Sequence, residues 1–405
     1  MTNINDREKQ VLSIIKNLDI SPTMFKQAEE KYKAIASFLN DHGIVADIYP
    51  QGSFALGTVV RPILKTNSMH YDLDFICQIE GNADTNTPSS TRKQIIESLQ
   101  NNEIYKSRMV IYDKCITIQY TDINKIGFSI DIVPATDETD LHKILLKVKS
   151  DYPELIDSAI AIPKCTENEK YSWITNNPKG FQDWFSSINK PFLDYSRESY
   201  RKTMFLEHSD IFSSIEEIPH ELERSSLQRV IQILKCHRDN FYSHFDKGED
   251  IKPISAIITV LTSQIAKDYS PSCSIFELLE HVLIELNTYS EHQSLTDDQF
   301  RMKNPNKEII SHIQSKWNIS NPANPNDNLA DQWNNNSEIP KYFFLWIRAA
   351  LSDFINLSKN DNIKFRSVLE NSFGHNLVNH VLGVESCSNT PRPISKTTIK
   401  PYGNK

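Results

Sequence analysis

Glycine is scarce in this chain, with 10 residues in 405. Cysteine is scarce and scattered: six residues, at 77, 115, 165, 236, 273 and 387, with no Cys-x-x-Cys pair. That spacing argues against a zinc ribbon or a disulfide framework and points to a reducing compartment, the cytoplasm. No apolar run approaches the ~18 residues that span a bilayer. The opening MTNINDREKQ lacks the apolar core of a signal peptide. Positive charge is also short, with 44 Lys and Arg against 52 Asp and Glu, a formal net charge of −8. A protein that coats nucleic acid is disfavoured, whereas a small basic pocket remains open. No internal repeat is visible. What is present is ordinary for a folded domain, 39% hydrophobic and 24% charged. The length predicts two domains or three.

Residues 5–18 and 22–41 read as helices. Ser21 is a candidate N-cap, Pro22 suits the first helical position, and Met24, Ala28, Tyr32, Ile35 and Leu39 fall near one face. From Val45 to Val133 short β-branched and aromatic runs predict strands, interrupted by a helix at TRKQIIESLQ. Residues 160–185 read as two short strands, a turn and a helix from near Gly180. Helices dominate thereafter, including LERSSLQRVIQILKCHRDNFY and PISAIITVLTSQIAKDY. The expectation is an α+β N-terminal part over 1–200, a helical part over 201–385 and a flexible tail over 386–405. The tail carries Arg392, Lys396, Lys400 and Lys405 without an acid.

With so few glycines, Gly52 in YPQGSFALGTVV stands out. Gly-Ser is common turn chemistry. It also lets backbone amides and a hydroxyl approach an anion at a helix N-terminus. In YDLDFICQI, Asp72 and Asp74 alternate with Tyr71, Leu73 and Phe75, so both project from one strand face, Cα atoms ~7 Å apart. Two carboxylates there repel, and a solvated face is the plain reading. The apolar continuation through Ile76 and Ile79 argues for burial instead, with a divalent cation as the neutralising partner. Mg2+, a hard ion that takes oxygen ligands, fits, and Mn2+ can substitute. Asp131 in GFSIDIVPA is a third carboxylate set among aliphatics. Beside the pair it completes a cage for two metals ~4 Å apart.

QGSF…YDLDF…SIDIVPA resembles the polymerase-β-type nucleotidyltransferases. Within that superfamily, PQGSFALGT, LQRVIQILKCHRD and KPISAII resemble the bacterial cGAS/DncV-like nucleotidyltransferases. The 18 residues between Ser53 and Asp72 exceed the spacing of compact superfamily members, as is usual in this group. The resemblance implies a polymerase-β-like core with a mixed β-sheet and a helical domain, two lobes around a cleft. It implies that Asp72, Asp74 and Asp131 are catalytic and hold Mg2+, with Asp131 aiding deprotonation of the acceptor hydroxyl. Gln51, Gly52, Ser53, Lys235 and Ser255 then grip the donor triphosphate. The implied product is a cyclic di- or trinucleotide messenger, made with release of pyrophosphate, that acts on a separate effector in antiphage signalling. A regulatory protein binding the tail is a further implied partner.

Each helical residue also has a plain reading: Lys235 a solvated lysine, Ser255 an N-terminal cap. Trp173, Phe181, Trp184 and Phe185 suit either base stacking or burial at the seam between lobes. His237 and His244 beside Cys236 lack the further ligands of a metal centre. Two other functions stay open: transfer of a nucleotide to an RNA, protein or small-molecule acceptor, and nucleotide binding without catalysis.

Overall fold

The computed structural model describes residues 4–19, 22–60, 69–123, 126–166, 170–207, 223–291, 295–303, 309–355 and 361–383. Helices α1 (Ile4–Leu18) and α2 (Pro22–Asp41) lead into β1 (Ala46–Pro50) and a single-turn helix, α3 (Gly52–Ala55). Strand β2 (Met69–Asn82) is followed by α4 (Pro88–Gln100), α5 (Glu103–Arg108), the hairpin β3 (Met109–Ile111) and β4 (Ile116–Ile123), and β5 (Ile126–Asp137). Then come α6 (Asp140–Lys149), the hairpin β6 (Ile160–Cys165) and β7 (Tyr171–Asn176), and the long helix α7 (Pro178–Glu207).

These seven strands form one mixed sheet in the order β1-β2-β5-β4-β3, with β6 on the end of β5 and β7 on β6. Only β2 and β5 are parallel. Parallel neighbours require a crossover, supplied here by α4, α5 and the β3–β4 hairpin. Thr87 starts that crossover with a capping box, exchanging hydrogen bonds with Ser90.

Alternation along the two central strands divides the sheet into two faces. Leu73, Phe75 and Cys77 of β2 and Ile130 and Ile132 of β5 join one core, against Ile35 and Leu39 of α2 and Ile95 and Leu99 of α4. Each such side chain contributes ~1.5–3 kcal/mol of burial, which fixes the register of both strands. On the opposite face Ile76, Val133 and Ala135 pack with Ile160 and Ile162 of β6.

The helical half centres on α8 (Ser226–Tyr242), buried along nearly its whole length, with α9 (Gly248–Ile251), α10 (Ser255–Ala266) and α11 (Ile275–Ser290). Ser225 starts α8 through a capping box with Gln228. Leu227, Val230, Ile231 and Leu234 enter the core, where Trp184 and Phe185 of α7 join them and Phe181 packs alongside. Val11, Ile14 and Ile15 of α1 lie in this same core. The first helix therefore packs with the helical half, and its lobe is discontinuous in sequence.

Two small hairpins interrupt the helical half. Ser311–Ile313 pairs with Lys316–Asn318, and Ser320–Asn321 with Asn324–Asn328. Their strands are short and polar, without alternation to announce them, and Asn side chains brace them: Asn328 Oδ1 accepts from the Ile319 and Ala330 amides. Among the described residues no helix is long and apolar enough to cross a membrane. The tail expected over 386–405 lies outside the described residues, whereas the boundary expected at 200/201 falls within α7 (Pro178–Glu207), and residues 208–222 beyond it lie outside the described residues.

Candidate active site

Parallel pairing sets Asp74 directly beside Asp131, and Asp72 beside Ser129. Paired residues on adjacent strands share a face, so Asp74 and Asp131 stand side by side on the face that carries Ile76 and Val133. Asp72 holds a register position on the same face. Both described aspartates are partly exposed. Thr117, opposite Asp131 in the β4–β5 pairing, donates its hydroxyl to Asp131 Oδ1 at 2.6 Å. That bond orients the carboxylate from behind.

The turn after β1 closes over these carboxylates. The Gln51 amide donates to the Asp74 carbonyl at 2.8 Å, and Gly52 follows with φ +62°. A side chain is excluded there twice over. The backbone is left-handed, and a Cβ would stand 2.7 Å from Asp74 Oδ2. The hard, all-oxygen donors of Asp74 and Asp131 fit the chemistry of a Mg2+ ion bound together with phosphate oxygens. Ser53 lies in the helical turn Gly52–Ala55, too short to be stable alone. Its carbonyl accepts from the Thr58 amide at 2.9 Å.

Lys235 meets this turn from α8. Its ammonium donates to Ser53 Oγ at 3.0 Å, to Thr58 Oγ1 at 3.1 Å and to the Thr58 carbonyl at 3.2 Å. The residue is 5% exposed, which rules out the solvated-lysine reading. Burial first, and the nearby Arg238 guanidinium second, pull the Lys235 ammonium down to about 7. A bound polyphosphate would favour its protonated form.

Ser255 is not the N-cap of its helix. Ile254 is the N-cap of α10, without a side-chain cap bond, so Ser255 is the first helical residue and Pro253 lies outside the helix. The Ser255 hydroxyl accepts from Arg238 Nη1 at 3.2 Å, and the same nitrogen reaches the Pro253 carbonyl at 3.0 Å. Arg238 sits one turn beyond Lys235, so α8 connects Ser255 to the turn that carries Ser53. The histidines serve packing. His237 accepts from Trp346 Nε1 and contacts Asp353, while His244 bonds the Asn240 carbonyl. Trp173 is half-buried on β7. Thr58, Thr117 and Arg238 carry no signal of their role in the sequence. Only the polar spacing of Gln228, Gln232 and Lys235 along α8 signals that this face meets something polar.

A family model for the Second Messenger Oligonucleotide or Dinucleotide Synthetase domain matches residues 7–149, which hold the Gly-Ser turn and all three aspartates. A c-di-GMP synthase of Roseivirga ehrenbergii is 26% identical over 356 residues, 87% of this chain and 79% of that protein. Over residues 7–149 the chain carries this synthetase domain, and its likeness to a c-di-GMP synthase accords with the resemblance to the bacterial cGAS/DncV-like nucleotidyltransferases seen in its motifs. The fold agrees. The Bradyrhizobium diazoefficiens CD-NTase CdnG, solved with GTP, superimposes with a TM-score of 0.63 at 16% identity, covering 93% of this chain and 98% of that one. CdnC of Escherichia coli MS115-1, solved in complex with HORMA-deltaN, gives 0.51 at 11% identity, covering 91% and 97%. At such identities the structures speak to the fold alone.

Proposed function

We propose that this cGAS/DncV-like protein joins ribonucleoside triphosphates into a cyclic oligonucleotide messenger, a dinucleotide containing guanine. The observation that carries the reading is the in-register pairing of Asp74 with Asp131 beneath a Gly-Ser turn bound by a buried lysine. The c-di-GMP synthase relative and the GTP held by CdnG favour guanine.

The turn at Gly52–Ser53, with Lys235 behind it, grips the β- and γ-phosphates of the donor. Gln51 ties that turn to the Asp74 backbone, so grip and carboxylates keep one spacing. Mg2+ or Mn2+, held by Asp74 and Asp131 with Asp72, would supply positive charge at the phosphate oxygens when bound. A ribose hydroxyl of the second nucleotide attacks the donor α-phosphorus in line, forming one P–O bond as the bond to the β-phosphate oxygen breaks. Pyrophosphate leaves, and the hydroxyl proton passes to Asp131 or to solvent. Thr117 holds Asp131 toward that proton. Ser255, at an open helix N-terminus beside Arg238, suits a terminal phosphate of the donor. A second transfer within the linear intermediate closes the ring.

The product would act on a separate effector in antiphage signalling. A regulatory protein engaging residues 386–405 is proposed on the precedent of the CdnC complex with HORMA-deltaN. Incubation with the four labelled triphosphates and Mg2+, with products identified by mass, tests the reading. A cyclic guanine-containing product is expected. A nucleotide attached to an RNA, protein or small molecule would replace the proposed acceptor, and failure to consume any triphosphate would leave binding alone.

A further inference from the structure

Gln228 and Gln232 stand on α8 two turns and one turn before Lys235, on the same face. Together the three side chains hold the loop that follows α3. Gln228 Nε2 donates to the Leu56 carbonyl at 2.9 Å, Lys235 Nζ to the Thr58 carbonyl at 3.2 Å, and Gln232 Nε2 to the Val59 carbonyl at 2.9 Å. Gln228 is 7% exposed and Gln232 1%. Buried loop carbonyls need partners, and here one helix supplies three.

Neither amide is free to turn away. Gln228 Oε1 accepts the Ser225 amide at 2.9 Å in the box that starts α8, which aims its NH2 at the loop. Gln232 Oε1 accepts from Arg229 Nη1 at 2.9 Å, while its Nε2 also donates to Asp19 Oδ1 at 2.9 Å. Asp19 in turn takes Arg229 through both carboxylate oxygens, at 2.9 and 2.8 Å. It lies between α1, packed in the helical core, and α2, packed on the sheet. Gly57 marks the closeness of the fit: its φ is +64°, and a Cβ there would stand 2.6 Å from Gln228 Nε2.

We propose that Gln228 and Gln232 are positioning residues for the donor triphosphate, fastening the Gly-Ser loop to α8 with Asp19 as anchor. The proposal rests on the nucleotidyltransfer reading above. At its front the loop is tied to the sheet through the Gln51 amide and the Asp74 carbonyl. At its back it is tied to the helical lobe through the glutamines. Ser53 and Lys235 therefore meet at a separation that neither residue fixes alone, and loosening the back of the loop weakens the grip on phosphate.

The test uses full-length protein carrying Gln228→Met or Gln232→Met, which keep chain length and remove the donor. Binding of GTP with a non-hydrolysable α,β-bridge is measured by calorimetry in Mg2+, alongside turnover and Tm. The expected result is a rise of about tenfold in both Kd and KM, with kcat at saturation changed less than about threefold. Combined with Lys235→Met, the fold-change in Kd should be smaller than the product of the single-variant fold-changes, because all three side chains act on one loop. A purely structural role would instead lower Tm and the active fraction while leaving Kd and KM within about twofold of wild type. That outcome, or a fully multiplicative cycle, overturns the proposal. Should Gln228→Met not fold, Gln232→Met and Asp19→Asn carry the same comparison. Wild-type protein that binds none of the four triphosphates would sink the nucleotidyltransfer reading itself, a result distinct from variants that match a binding wild type.

Discussion

Asp74 and Asp131 reach each other through a ladder of backbone hydrogen bonds between neighbouring strands, whereas Lys235 reaches Ser53 across 182 residues and from another lobe. The acidic side is partly exposed and braced by Thr117 one strand away. The basic side is buried, and its row of polar groups is satisfied by loop carbonyls and by Asp19. Strand alternation and register place charges cheaply, because the backbone carries the geometry. A cation delivered from a helix has to be buried with every donor matched, since an unmatched one is costly. Damage to the acidic side should therefore remove chemistry and spare the fold, while damage to the basic side should loosen substrate and alter stability.

The largest effect is expected from the carboxylates. Asp72→Asn, Asp74→Asn or Asp131→Asn should reduce pyrophosphate release on the order of 10³-fold or more, with Tm unchanged or raised as clustered negative charge is relieved. Turnover near the wild-type rate in any of them would remove that residue from the metal-holding set. Gly52→Ala comes next, since it touches both sides at once. The added Cβ meets Asp74 Oδ2 in a left-handed turn, so activity should fall about 10²-fold through misplacement of the donor. The backbone strain alone costs roughly 1–2 kcal/mol, readable by denaturant titration.

Lys235→Met should raise the KM for donor about 10- to 100-fold, the worth of a charge-assisted hydrogen bond, with a smaller change in kcat. The pH dependence has a definite sign. Burial holds the folded ammonium down at about 7, well below the 10.5 of an unburied lysine, so between those values the unfolded chain binds more protons. The Lys235 contribution to stability therefore rises with pH across that window, and it is least favourable below it. Triphosphate binding raises the folded value, so calorimetry at pH 7.5 in buffers of different ionisation heat should detect proton uptake, absent in Lys235→Met. The smallest effect separates the two sides most finely. Thr117→Val should cost about tenfold in kcat with KM unchanged, as loss of a bracing partner does. A change in KM instead would link Thr117 to substrate binding.

The aspartate spacing was legible because period-two alternation needs no partner to be read, and Gly52 stood out because the chain has so few glycines. The helical stripe of Leu227, Val230, Ile231 and Leu234 was legible in the same way, and all four lie in the core. The small hairpins at 311–328 were not, since short Asn-rich strands carry no periodic signal. Ser255 was legible as a helix start, but its hydrogen bond to Arg238 depends on how α8 and α10 pack.

The sequence by itself determined the alternating strands, the helices of the second half and the carboxylates available to one sheet face, because each follows from local periodicity and backbone geometry. Tertiary structure alone decided that β2 and β5 are parallel neighbours, which sets Asp74 beside Asp131. It also decided that α1 joins the distant helical core and that Gln228, Gln232 and Lys235 close on the loop at 56–59. The physical reason is that a strand's face is fixed by its own backbone. The partner of a buried donor is fixed only when another part of the chain, here about 175 residues away, brings its carbonyl to within hydrogen-bond reach.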